Sequence, residues 1–103
     1  MILNTDGGDI SVFFGNGDII VSHIKSIGED NEKVGIRLNW SKKTYNVGDN
    51  AYVDNIFEDN DDVYAHPAVN LIFTKKESID VVIGKLEEMK KFFNEKEDEN
   101  SGV

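Results

Sequence analysis

What this chain lacks narrows its chemistry before any motif is considered. Across 103 residues there is no cysteine. That removes a disulfide framework, a thiolate nucleophile and a cysteine zinc site. The two histidines, His23 and His66, fall short of the three or four protein ligands that zinc takes. Basic residues are scarce, 11 against 20 acidic, for a net charge of −9. Such a surface repels phosphate backbones and anionic membranes, so duplex nucleic acid and membrane surfaces are not expected partners. No apolar run approaches the roughly 18–20 residues that span a bilayer. The first residues, "MILNTDGGD", carry no basic region and no long apolar stretch, so no secretory signal is expected and a cytoplasmic location is.

What remains suits one domain with a single core. The acidity is uneven: residues 1–53 hold seven acids and five bases, residues 54–103 thirteen and six. The excess sits in the stretch 54–62 and in the C-terminal segment.

The first two-thirds read as strands. "ISVFF" (10–14) and "IIVSHIKSI" (19–27) are rich in β-branched and aromatic residues. Between them Gly15-Asn16-Gly17-Asp18 signals a hairpin, because the favoured two-residue turn needs positive φ. In "VGIRLNW" (34–40), Val34, Ile36, Leu38 and Trp40 alternate with Gly35, Arg37 and Asn39, the pattern of a half-buried strand with its apolar set inward. "TYNV" (44–47) is expected to pair back onto it. "AYVDNIF" (51–57) and "AVNLIF" (68–73) read as further strands, residues 2–5 as a short first one, and "GEDNEK" (28–33) as a polar hairpin loop. After Phe73 the period changes to 3.6. Thr74 and Glu77 have capping-box spacing, and Ile79, Val82, Ile83, Leu86, Met89 and Phe93 form one apolar stripe of a helix over about 75–95. The expected architecture is α+β: an antiparallel sheet of about five strands with the helix packed on one face. It fills a domain over 1–94, followed by an acidic disordered tail, 95–103.

The chemically loudest stretch is "NIFEDNDDVYAHP" (55–67). Asp54, Glu58, Asp59, Asp61 and Asp62 crowd one inter-strand loop. A calcium loop needs glycine at its sixth position and glutamate at its twelfth. Counting from Asp54 puts Asp59 sixth and counting from Asp59 puts Tyr64 there, so only a non-standard, weak divalent-cation site is left open. Acid–base catalysis needs one carboxyl held protonated by burial, and a solvated run does not supply it. "GNGD" lacks the third glycine and following helix of a dinucleotide fingerprint. No serine–histidine–carboxylate grouping stands out, so no catalytic residue, metal or cofactor is assigned.

"RLNWSKKTY" (37–45) gathers Arg37, Trp40 and Tyr45, residue types enriched at interface hot spots. Single-stranded nucleic acid would also suit such residues, but the whole-chain field opposes it. On the helix, Val81 and Phe92 lie off the main stripe. They mark a second contact face, which together with an open strand edge admits a homodimer. In size and acidity the chain resembles the small non-catalytic inhibitors that phages and other mobile elements encode against host enzymes, a resemblance of character without a motif. The leading expectation is a non-enzymatic acidic interaction module for a basic protein partner. In one form it blocks a nucleic-acid-binding groove by imitating phosphate charge. The other expectations are an oligomeric binder of a nucleotide or metabolite and a weak divalent-cation binder.

Overall fold

The fold is α+β: five antiparallel strands in two sheets and one C-terminal helix. It is seen in a computed structural model that describes residues 1–5, 7–27, 29 and 32–101. The chain divides into two compact units, residues 1–72 and 73–103. Each is described by itself.

In the first unit, β1 (Ile2–Asn4) and β2 (Ile10–Val12) form a two-stranded ribbon with Leu3 opposite Ser11. The amide of Thr5 and its hydroxyl both donate to the Asp9 carbonyl, at 2.9 and 3.2 Å, and close the turn. The larger sheet has the order β3 (Ile19–Ile27), β4 (Lys33–Ser41), β5 (Val63–Phe73). β3 and β4 are an antiparallel pair from Ile19 opposite Trp40 to Ile27 opposite Lys33, with a register shift after Ile24. Residues 28, 30 and 31 of the expected polar loop between them lie outside the described residues. Pro67 sits in β5, an edge strand, where a missing ladder donor is tolerated.

The expected single sheet is thus two, because the Gly15–Asp18 turn does not make a hairpin. Gly15 and Gly17 do take positive φ, 118° and 72°. However, the Gly17 carbonyl accepts from the Tyr45 amide at 2.8 Å and the Asp18 carbonyl from the Ser41 amide at 2.8 Å. These bonds lead the chain into pairing with β4 instead of back onto β2. A Cβ at Gly17 would lie 1.8 Å from the Tyr45 oxygen, so only glycine admits this approach.

Residues 44–47 and 51–57, expected as strands, have no strand structure. Val53 and Ile56 are buried, while Tyr52 and Phe57 are exposed. That spacing of three contradicts the two-residue period of a strand. The small core is built from Ile20, Val53, Ile56 and Val63, with Tyr45 and Ala51 packed against it.

The second unit is dominated by α1 (Lys76–Ser101). It starts within one residue of the expected position and runs beyond it, so the segment anticipated as a tail is helical as far as Ser101. Of its apolar stripe, Leu86 is 60% and Phe93 65% exposed. Among the described residues, no helix is long and apolar enough to cross a membrane.

Candidate functional site

The site begins with an inversion on β4. The expected inward set is Val34, Ile36, Leu38 and Trp40, but of these only Leu38 is buried. The fully packed row is instead the polar one, Arg37, Asn39 and Ser41. The cause is the neighbouring chain. The irregular segment after Ser41 and the start of β5 turn backbone carbonyls toward β4, and buried carbonyls must be satisfied. Side chains from β4 supply the donors.

Arg37 donates through Nε to the Ile56 carbonyl at 3.3 Å, through Nη2 to the Ala65 carbonyl at 2.9 Å, and through Nη1 to Asn70 Oδ1 at 3.1 Å. The Phe57 ring lies 4.9 Å from its guanidinium carbon, a cation–π contact. Burial lowers the Arg37 pKa from its ordinary value, but a guanidinium stays charged. Asn39, fully buried, donates from Nδ2 to the carbonyls of Ile56 at 2.9 Å and Tyr64 at 3.0 Å. Its Oδ1 is buried without a hydrogen-bond partner. Ser41 Oγ donates to the Asp62 carbonyl at 3.2 Å, and that carbonyl also accepts from the Lys42 amide at 2.7 Å. Arg37 is therefore an internal tie and not an offered hot spot. Trp40 is half-buried with its ring 5.5 Å from that of Tyr64, and Tyr45 is half-buried against the core.

On this seam stands the acidic loop, organised by Asn60. Asn60 Nδ2 donates to the Asn55 carbonyl at 2.6 Å and the Glu58 carbonyl at 3.1 Å. Its Oδ1 accepts from the amides of Asp62 at 2.7 Å and Val63 at 3.0 Å. A short amide side chain bridging both directions suits such a turn.

The five acids then separate into two groups. Asp59 accepts from Lys42 Nζ at 3.1 Å and from the Ala65 amide at 3.2 Å, and Asp62 pairs with Lys43. The Lys42 bond first, then the Ala65 amide, holds the Asp59 carboxyl below its ordinary range. The Asp62 bond, then its charge, raises the Lys43 ammonium. Asp54, Glu58 and Asp61 are exposed, and no ion pair involves them among the described residues. Beside them stand Tyr52, 84% exposed, and Phe57, 59% exposed. A groove of about 350 Å³ runs between this segment and the free edge of β3, lined by Val21, His23, Tyr52, Asp54 and Phe57 among others.

His23 and His66 are both exposed. Among the described residues no three His, Cys, Asp or Glu side chains converge on a point that would hold a metal ion. Val81 and Phe92, expected as a second contact face, are 65% and 61% exposed on α1. Tyr52 and Phe57 were missed by sequence reasoning because a strand through 51–57 would have put them on opposite faces, whereas the irregular segment exposes both. The signal that could have found the buried row is polar residues at alternate positions in a strand bordering an irregular segment. No protein-family model matches this chain, and no curated protein sequence or solved structure is significantly similar to it.

Proposed function

We infer that this protein is a non-catalytic interaction module that binds a basic patch on a protein partner. The observation that carries this reading is the juxtaposition on the 52–61 segment of three exposed carboxylates, Asp54, Glu58 and Asp61, which form no ion pair among the described residues, with two exposed aromatic rings, Tyr52 and Phe57. Exposed aromatics supply contact area at low entropic cost, and unpaired charge supplies complementarity and fast association. The loop carrying them is held by Asn60 and by the Arg37–Asn39–Ser41 seam, so little ordering is required on binding. Steric occlusion of the partner's basic surface, including one that otherwise holds nucleic acid, is the mechanism such a contact performs.

The test is affinity capture from lysate at about 50 mM and about 500 mM salt, since exposed charges are largely screened at the higher value. The triple variant D54N/E58Q/D61N leaves the structural acids Asp59 and Asp62 in place. A stoichiometric partner held by the native chain, weakened by salt and lost by the triple variant with melting temperature unchanged, supports the reading. Equal capture by native chain and triple variant refutes it.

A further inference from the structure

Asn16-Gly17 is the one Asn-Gly step in the sequence. The hairpin that such a step usually builds is absent here, and the contact surface on 52–61 makes no use of it. Its own chemistry is distinct. An asparagine side-chain amide is an electrophile that closes a five-membered ring with the next backbone nitrogen. Three features ordinarily hold that reaction back. A side chain on the following residue crowds the nitrogen, a hydrogen bond occupies its N–H, or a bound side-chain amide is held away from it.

None of these applies at Asn16. Gly17 has no Cβ. Among the described residues, neither the Gly17 amide nor the Asn16 side chain makes a hydrogen bond. Asn16 is exposed, and residues 15–17 belong to no strand or helix. Other asparagines of the first unit differ. Asn39 is buried and donates to two carbonyls, while the side chains of Asn55, Asn60 and Asn70 are each bound. Each of these four is followed by a residue with a side chain: Trp40, Ile56, Asp61 and Leu71.

We propose that Asn16 is a site of spontaneous deamidation, which converts the 16–17 step to isoaspartate and loosens the entry into β3. The Gly17 nitrogen gives its proton to hydroxide and attacks Asn16 Cγ. The N–Cγ bond forms, the Cγ–Nδ2 bond breaks, and Nδ2 takes a proton from water and leaves as ammonia. Water then opens the cyclic imide. Attack at the Asn16 backbone carbonyl carbon gives isoaspartate, in which the main chain runs through the former side chain. Attack at Cγ gives aspartate. Nothing is oxidised or reduced, and water is the only reactant consumed.

The fold leaves little room for the longer product. The Phe13 amide is pinned to the Met1 carbonyl at 2.8 Å, and the Gly17 carbonyl to the Tyr45 amide at 2.8 Å. Residues 14–16 alone lie between these pins, and isoaspartate adds one methylene to that span. Gly17 has no freedom to absorb it, because the Tyr45 carbonyl oxygen stands where a Cβ would be. The strain falls on the Gly17–Tyr45 bond and on the next one, from the Ser41 amide to the Asp18 carbonyl, which begins the pairing of β3 with β4.

The test ages the full chain in mildly alkaline buffer, folded and in guanidinium. Peptide mapping by mass spectrometry locates deamidation, and isoaspartate-specific carboxyl methylation marks the product. In the folded chain Asn16 is expected to react ahead of every other asparagine, within a few-fold of its unfolded rate, and mainly to isoaspartate. The aged fraction is expected to melt several degrees lower, with faster amide exchange at Tyr45 and Ser41. N16D carries the charge without the methylene and is expected to melt and exchange as the native chain does. N16Q, whose ring closure is slower, is expected not to age. Deamidation led by another asparagine, or protection of Asn16 by more than an order of magnitude in the folded chain, overturns the site. An isoaspartate fraction with native melting and exchange overturns the strained entry, as does an N16D chain that loses as much as the aged one.

Discussion

Replacing Asn39 by leucine tests the claim that the polar row of β4 is structural. Asn39 is completely buried and donates two hydrogen bonds, to Ile56 and Tyr64. Each contributes about 1 kcal/mol net, and a buried carbonyl left unpaired costs about 1 kcal/mol more at the low end of the usual range. The Ile56 carbonyl keeps the Arg37 Nε bond, so only Tyr64 loses its side-chain donor. Against this, leucine removes the unpartnered Oδ1 and returns about 1 kcal/mol. The net loss is about 2 kcal/mol, a large share of the roughly 5–15 kcal/mol of a typical domain. With a urea slope of about 1–2 kcal/mol per molar, the midpoint falls by about 1–2 M. Trp40, next in sequence and 5.5 Å from the Tyr64 ring, is the fluorescence probe. The variant N39D sharpens the test by turning a carboxylate toward two carbonyl oxygens. Its folded pKa would be raised, so its penalty is absent below the unfolded value of about 3.9 and grows as pH rises through the folded value. At pH 7 the expected order of midpoints is native, then N39L, then N39D. An N39L midpoint equal to or above the native one would refute the reasoning.

Three further outcomes follow from the same geometry. Gly48→Ala, at φ 97° with open space around it, should cost about 1–2 kcal/mol for the left-handed backbone alone, whereas Gly17→Ala adds the clash with Tyr45 and should lower the melting temperature distinctly more. Equal effects would mean that the Gly17–Tyr45 approach is not maintained. Asn60→Ala should speed amide exchange at Asp62 and Val63 by about tenfold or more, and unchanged protection would remove Asn60 as the organiser of the loop. Because Asp59 is held below its ordinary value, its tie to Ala65 is complete above the ordinary carboxylate pKa and is lost as pH falls through the depressed one. The Ala65 amide resonance should therefore titrate with a midpoint below about 3.9, moving upward in Lys42→Met; a midpoint at or above 3.9 in the native chain would contradict the Lys42 and Ala65 contacts.

Legibility in the sequence followed the locality of the forces. β3, β4 and the C-terminal helix could be read because each rests on periodicity or propensity within a few residues. The 51–57 segment was misread because its β-branched and aromatic content satisfied propensity, while its backbone is bound by side chains from Arg37 and Asn39, distant in sequence. The acidic loop was found as a composition, but its division into tied and free carboxylates was not. That division depends on Lys42 and Lys43 reaching across from the end of β4.

By itself the sequence determined the class of the fold, the polarity pattern of its strands, the apolar stripe of α1 and the chemistries for which the chain lacks groups. These are counts and spacings, and they need no partner. Only the tertiary structure decided which face of β4 is interior, which glycine is irreplaceable, and which acids of the loop are tied by lysines. Each of these depends on what lies opposite. A row of polar side chains is a solvent face when water is its neighbour. It becomes a buried seam when the chain opposite brings backbone carbonyls for it to satisfy.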